Sequence, residues 1–141
     1  MKVTMLLADS AQAVEGKLYI LGGGWSVTSP GIPSAIALHF QVPWDQTDDP
    51  HHFRLELLTS DGDPVVDDAG NHISVDGDFQ TGRPAGTPRG ASIDVPMAVG
   101  FPPLPLQPGQ RYEWKLNVDG VVNDDWRLPF NCQAPPVPPG L

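Results

Sequence analysis

Strict alternation of apolar and polar residues is the feature of this sequence that most restricts its fold. In Arg111–Val118 the apolar side chains Tyr112, Trp114 and Leu116 alternate with polar ones. A period of two places successive side chains on opposite faces of a β-strand. One wet face beside one buried face is typical of an antiparallel sheet. The same alternation recurs in Ile36–Val42, Phe53–Leu57, Ile73–Phe79, Ser92–Phe101 and Trp126–Cys132.

Shorter apolar runs add further strands at Val3–Leu7, Lys17–Leu21 and Trp25–Thr28. About eight or nine strands separated by turn residues predict an all-β chain, either an antiparallel β-sandwich or an open barrel. Only Asp9–Glu15 has the composition of a helical turn, with a capping residue at its start. The sequence therefore predicts almost no helix.

Glycine and proline indicate where the strands end and which strands lie at an edge. Asp61–Gly62 and Asp119–Gly120 are dipeptides typical of β-hairpin turns. Pro96 and Pro129 interrupt two of the alternating runs. Because proline cannot donate a backbone hydrogen bond, these two strands are predicted to be edge strands or to be bulged there.

Length and composition predict one folded domain with a short tail. A chain of 141 residues can bury roughly two-thirds of its unfolded surface without a disulfide or a metal. Cys132 is its single cysteine, which excludes an intrachain disulfide. We expect a β-sandwich domain over residues 1–133. The proline-rich segment Ala134–Leu141 is predicted to be an extended polyproline II tail.

The charge of the chain argues against two classes of partner. Its net charge is −9, from 8 Lys and Arg against 17 Asp and Glu. A negative field repels phosphate backbones and anionic lipids, so we expect no nucleic acid and no membrane partner. The apolar run Val3–Ala8 is too short for the core of a signal peptide. The expected location is the cytoplasm.

Four segments of the sequence carry a Gly-Lys hairpin, a Gly-Gly turn, an Asp-Gly hairpin and a Pro-Gly-x-x-Tyr strand. Together they resemble a bacterial family of unknown function whose members are small, cytoplasmic, immunoglobulin-like β-sandwiches. The resemblance covers about residues 1–132 and implies a single immunoglobulin-like antiparallel β-sandwich. It implies no catalytic residues. The segments are Leu6–Val27, Pro33–Val42, Phe53–Val65 and Leu104–Gly120.

No set of residues predicts catalysis or a bound cofactor. The glycine-rich segment Leu21–Val27 lacks the lysine and the following helix of a phosphate-binding loop, so it predicts a tight turn or a bulge. Cys132 lies on the apolar face of its run, where a buried thiol behaves as a small hydrophobic side chain. The sequence has no G-x-S-x-G nucleophile motif. We therefore expect a protein that is not an enzyme and that has no cofactor.

The acidic and histidine residues offer weak alternatives for a metal. Adjacent His51 and His52 point in opposite directions on an extended chain, which disfavours a transition-metal site. Oxygen ligands crowded at the loops of a sandwich would suit Ca²⁺, although the spacing of an EF-hand loop is absent. No metal site is predicted, and Ca²⁺ remains a minority alternative. Its candidate ligands are Asp61, Asp63, Asp67 and Asp68.

Two tryptophans are the candidate binding residues. Trp44 follows Pro43 in an acidic loop outside every alternating run, and Trp25 follows three glycines. Exposed tryptophan is a frequent anchor of binding surfaces, although Trp44 folded over the end of the core is an equal alternative. The sequence favours a non-catalytic interaction or assembly module whose partner is another protein or a second copy. The alternatives are a small-ligand or carbohydrate binder and a Ca²⁺-binding sandwich.

Overall fold

Nine β-strands account for the alternating runs in the computed structural model, which describes residues 1–134. A single 3₁₀ turn at Trp44–Gln46 is the helical structure within that part of the chain. Residues 1–134 contain no helix with the length and apolar character needed to span a membrane. The strands are β1 (Lys2–Val14), β2 (Lys17–Gly23), β3 (Val27–Thr28), β4 (Ser34–Val42), β5 (His51–Thr59), β6 (Ser74–Phe79), β7 (Ile93–Phe101), β8 (Arg111–Val118) and β9 (Val121–Cys132).

The strands form two curled sheets that face each other in a sandwich-like arrangement. Sheet A has the order β2-β1-β4-β7, and sheet B has the order β3-β9-β8-β5-β6. The predicted all-β class and strand number are confirmed. The expectation of purely antiparallel pairing is wrong at one place, because the two-residue strand β3 runs parallel to β9.

The core consists of the inner faces of the two sheets. Leu38 and Phe40 of sheet A and Leu55 of sheet B are fully buried, in agreement with the period-two pattern. Aromatic rings join the sheets across this core. Phe101 of β7 stacks on Trp114 of β8 with their ring centroids 4.8 Å apart. Each such pair adds about 0.5–1.5 kcal/mol beyond the burial of its area.

The first hairpin is longer than its composition suggests. The predicted helical turn at Asp9–Glu15 is wrong, because Asp9–Val14 belongs to β1 and pairs with β2. Glu15 and Gly16 both have positive φ, 51° and 76°. This pair forms a two-residue turn of the primed type, whose twist matches that of the flanking strands. The turn therefore continues the ladder, and its pairing overrides the local helical preference.

Both predicted Asp-Gly turns are present. Asp119 and Gly120, with φ of 54° and 80°, connect β8 to β9 in the same way as the first hairpin. At Gly62 the chain also has positive φ, and its amide donates to the Thr59 carbonyl. Beyond that turn, Leu58 pairs with Pro64 in a single isolated bridge.

The two prolines lie where no neighbouring strand needs their amide. Strand β7, which contains Pro96, is an edge of sheet A, so that prediction is confirmed. Strand β9, which contains Pro129, lies between β3 and β8. However, β3 pairs only with Asn131 and Cys132, so β9 has no neighbour on that side at Pro129.

A tyrosine fixes the entry to β8. The Gln107 amide donates to the Tyr112 hydroxyl at 2.8 Å, and the Tyr112 ring stacks on Phe130. Between them, Gly109 has positive φ and its amide donates to the Cys132 carbonyl. The long connection from β7 is thereby anchored to the end of β9. Residues 135–141 of the predicted tail lie outside the described residues, and the domain boundary at 133 stays a prediction.

Replacing Trp114 with alanine tests the core directly. Its side chain is 1% exposed and stacks on Phe101. We expect Trp114→Ala to lower the free energy of unfolding by about 3–5 kcal/mol. Ile32→Ala, at a side chain 49% exposed, is the control and should change it by less than about 0.5 kcal/mol. Urea unfolding measures both, and equal midpoints for the two variants would contradict the placement of Trp114.

Candidate functional site

The outer strand of sheet A has a free edge. Strand β2 pairs with β1 in regular register from Val14 opposite Lys17 to Ser10 opposite Leu21. On its other side, nothing within residues 1–134 pairs with it. A free edge presents unpaired amide and carbonyl groups that another extended chain can complete. Strand β2 is therefore the first candidate for an interaction site.

Apolar side chains are concentrated on this edge strand. Tyr19 is 56% exposed, Ile20 is 40% exposed and Leu21 is 71% exposed. In the part of the chain that the structure describes, they form the only run of three consecutive exposed large hydrophobic residues. Contiguous exposed apolar surface marks interaction sites more often than isolated residues do. We call Lys17–Leu21 the β2 edge.

The other strand edges carry features that discourage pairing. Strand β7 has Pro96 and Asp94, and β6 has Asp76 and Asp78 within six residues. Strand β3 is only two residues long. Proline, charge and shortness are the usual protections of a sheet edge. The β2 edge has only Lys17 at its start.

An apolar groove lies beside the β2 edge. The first hairpin curls over the outer face of sheet A and encloses a groove of about 520 Å³. Leu18 and Ile20 form its wall, and the Ile20 side chain reaches over Gly23 towards Leu6. The floor contains Thr4, Leu6, Ala37, His39, Asp94 and Pro96.

Small and paired residues shape the groove floor. Ala37 is buried and leaves depth beneath the hairpin. His39 and Asp94 form the polar end of the floor, with His39 Nε2 2.8 Å from a carboxylate oxygen. These two groups satisfy each other, and most of the remaining lining is apolar. The groove is suited to aliphatic or aromatic side chains.

A second feature is an ionic lock at one end of sheet B. His51 Nδ1 lies 2.6 Å from an Asp119 carboxylate oxygen, and Nε2 lies 2.9 Å from the Gln46 carbonyl. Both ring nitrogens face acceptors, so both donate only when the ring is an imidazolium. The other Asp119 oxygen accepts the His52 amide. This lock joins the 3₁₀ turn, the start of β5 and the β8–β9 turn.

The pKa values of the lock follow from these contacts. Burial lowers the pKa of His51, but the hydrogen bonds to Asp119 and Gln46 outweigh it and raise the pKa above its ordinary value. Burial raises the pKa of Asp119, but the hydrogen bonds from His51 and the His52 amide lower it overall. Both shifts therefore favour the charged forms of the two side chains.

Charged side chains also cross the outer face of sheet B. His52 lies between Asp78 and Asp76, within hydrogen-bonding distance of both carboxylates. These two contacts raise the pKa of His52, and the contact with Asp78 has the larger effect. Arg54 donates to Asp76 and to Glu56. Opposite charges at facing positions stabilise neighbouring strands modestly. We interpret these ion pairs as stabilising the solvent-exposed face of sheet B.

Trp44 lies half-buried beneath an arginine. The Arg83 guanidinium sits 3.8 Å from the centroid of the Trp44 ring and donates to the Trp44 carbonyl. Arg83 also donates to the hydroxyl of buried Thr47. The cation–π contact therefore covers one face of the ring. The ring borders an open depression that Pro43 and Asp45 also line.

Trp25 is also half-buried, and its ring lies nearly perpendicular to that of Phe130, with the centroids 6.2 Å apart. Its buried indole Nε1 has no hydrogen-bond partner within the described residues. The triple glycine before it adopts positive φ at Gly22 and Gly24. Of the predicted alternatives, a tight turn or a bulge, the structure shows an irregularity inside β2 at Gly22 and a bend at Gly24, after which Trp25 packs against the core.

The acidic residues proposed for Ca²⁺ do not converge. Across residues 1–134, no group of three or more His, Cys, Asp or Glu side chains is arranged to hold a metal. Asp67 accepts hydrogen bonds from the amides of Ala69 and Asn71, as an ordinary turn residue does. The Ca²⁺ alternative gains no support from the positions of Asp61, Asp63 and Asp68.

The sequence contained one sign of the β2 edge. Leu18–Leu21 is a continuous apolar run without alternation, and it was predicted as a short strand from that run. A strand apolar on both faces needs cover on both faces, and β2 has little. The lock and the Arg83 contact join residues 68 and 39 positions apart, and no local pattern predicts them.

The chain belongs to a family of unknown function (DUF6941), whose model matches residues 3–131. This agrees with the resemblance to an uncharacterised family. No curated protein and no solved structure matches the chain. A family of unknown function assigns no activity, ligand or partner to the chain.

The ionic lock predicts how stability depends on pH. A raised His51 pKa contributes stability that is complete below about pH 6.5 and is lost as pH rises through the folded pKa. A lowered Asp119 pKa contributes stability that is lost as pH falls through its folded value. Asp119→Asn keeps a residue that tolerates positive φ but removes the charge.

We therefore expect wild type to exceed Asp119→Asn in the free energy of unfolding at pH 6, with the difference shrinking at alkaline pH. Urea unfolding across this range measures it. Asp61→Asn, in the other Asp-Gly turn, is the matched control. A difference that stays constant from pH 6 to pH 9 would mean that Asp119 does not act through the charge of His51.

Proposed function

We propose that this protein is a non-catalytic interaction or assembly module that binds through the β2 edge and the groove beside it. The main support for this proposal is an unprotected edge strand whose Tyr19, Ile20 and Leu21 side chains are all exposed. Burial of apolar surface stabilises association by roughly 25 cal/mol per Å² before the costs of ordering. The edge adds backbone hydrogen bonds to that term, as in other cases of strand addition.

The chemistry of the polar residues supports binding over catalysis. Three histidines, His39, His51 and His52, are held by carboxylates that also belong to the sheets or their turns. Burial raises the pKa of the Cys132 thiol, which disfavours the reactive thiolate. A general base needs a ring nitrogen within reach of the substrate proton, and both ring nitrogens of His51 and of His52 are already engaged. The proposal therefore assigns no catalytic residue and no cofactor.

The finer description of the protein is also proposed. An immunoglobulin-like sandwich is supported by two facing sheets and by Tyr112, whose hydroxyl bonds back to the backbone as in a tyrosine corner. A bacterial, cytoplasmic protein is supported by the resemblance of its sequence segments. The net charge of −9 supports a protein partner or a second copy and disfavours nucleic acid and membranes.

Trp44 and Trp25 remain predicted binding residues, ranked after the β2 edge. Arg83 already covers one face of the Trp44 ring, and the depression beside it is open. The Trp25 ring packs its edge against the core. A small-ligand or carbohydrate binder would need a free ring face, which Trp44 offers only on the side away from Arg83.

The proposal is tested by placing a charge on the β2 edge. Leu21→Glu adds a carboxylate at the most exposed large hydrophobic residue, and Val122→Glu adds the same charge at a side chain 48% exposed in β9. Immobilised wild type and Val122→Glu should retain the same proteins from a host lysate. Leu21→Glu should retain at least about tenfold less, equivalent to about 1.4 kcal/mol. Equal retention by all three would refute the proposed site.

A further inference from the structure

We infer that the β2 edge pairs with the β2 edge of a second copy of this chain, antiparallel and centred on Tyr19. This inference rests on the proposed function and names its partner. It follows from the direction of the free backbone groups on β2, from the character of the side chains that would meet, and from the distribution of charge.

The hairpin fixes which backbone groups are free. In a two-residue hairpin the closing pair, here Val14 and Lys17, is hydrogen-bonded, and hydrogen-bonded pairs then recur at every second residue. Tyr19 and Leu21 therefore direct their amides and carbonyls to β1, opposite Gln12 and Ser10. Leu18 and Ile20 direct theirs to the free side.

These free groups are self-complementary. When two copies meet antiparallel about Tyr19, Leu18 of each lies opposite Ile20 of the other. Each of these pairs exchanges an amide and a carbonyl, giving about four hydrogen bonds in total. The register uses only Lys17–Leu21, where the pairing with β1 is regular. It avoids Gly22, whose positive φ of 61° disturbs the strand.

The same register places side chains of the same chemical type opposite each other. Leu18 and Ile20 of both copies share the face that borders the groove, so the second copy adds aliphatic side chains to an aliphatic wall. Tyr19 meets Tyr19 on the opposite face. Facing aromatic or aliphatic pairs each contribute to the stability of an antiparallel ladder. The exposed run thereby gains apolar neighbours on both faces.

Charge favours this surface over the rest of the molecule for a second copy. Two chains of net charge −9 repel each other over most of their surfaces. Between Gly16 and Gly24 the only charged residue is Lys17. In the register centred on Tyr19, Lys17 lies opposite Leu21 and no carboxylate faces another. A self-paired β2 edge therefore keeps the acidic surfaces apart.

The expected dimer is reversible. A strand pair with a few side chains buries less than the roughly 800 Å² per partner of a standard interface, which predicts dissociation constants of about 1–100 μM. Sedimentation equilibrium should show a concentration-dependent dimer. Leu21→Lys, which places a second cation beside Lys17 of the other copy, should weaken it at least about tenfold. Val66→Lys adds the same charge at a side chain 46% exposed elsewhere and should leave it unchanged.

Disulfide trapping tests the register. Cys132 is 1% exposed, so an introduced cysteine is the accessible thiol. Tyr19→Cys places the two sulfurs at directly opposed positions, whose Cβ atoms lie about 4.5–5.5 Å apart. Leu21→Cys places them four residues apart along the pair, about 13 Å. Mild oxidation should therefore cross-link Tyr19→Cys rapidly and Leu21→Cys slowly, and equal rates would overturn this register.

The outcomes separate self-pairing from the broader proposal. Wild type that stays monomeric at about 200 μM, twice the upper expected constant, overturns the second copy as partner. If that monomer still retains host proteins that Leu21→Glu loses, the interaction module stands and its partner is a different protein. If it retains none, both proposals fail. A dimer weakened by Leu21→Lys and unaffected by Val66→Lys supports both.

Discussion

Two open sheets that pack face to face must end in strand edges, because only a closed barrel has none. In this protein the inner faces are well filled, with Leu38, Leu55 and Trp114 almost completely excluded from solvent. The core therefore does not require any further partner. The edges are a separate matter, since their amides and carbonyls lie at the margins of the sheets. Three of the four edges are protected by proline, aspartate or shortness, and the one at β2 is not.

The ionic lock and the β2 edge illustrate two ways in which a surface is satisfied. At His51, two acceptors meet two donors, and the chain closes this network within itself. Removing one partner of such a pair leaves the other group unpaired, so the network fixes the turn geometry around it. At the β2 edge, the outward backbone groups of Leu18 and Ile20 and the exposed side chains have no such partners within residues 1–134. The distribution of satisfied and unsatisfied groups thus separates structural features from the proposed interaction site.

Period-two alternation was enough to predict the class of the fold, because each run faces the core on one side. It predicted burial at Leu116 and Phe130 for the same reason. Alternation failed at Asp9–Glu15, where pairing with β2 outweighs local composition. It also could not place Arg83 over Trp44, because the two belong to different loops that only the fold brings together. The candidate site was hidden for a related reason: the exposure of Leu21 depends on how far the hairpin extends beyond the sheet.

The length of the first hairpin determines whether the β2 edge is available. A shorter β1 would leave Lys17–Leu21 without a ladder partner, and an isolated apolar segment of that length is not stable as a strand. Because the Glu15–Gly16 turn has the twist of its strands, β1 continues to Val14 and holds β2 in extended form. An extended strand held in advance loses less conformational entropy when another strand pairs with it. The turn residues would therefore favour the proposed binding at a distance, by keeping the backbone of the β2 edge extended.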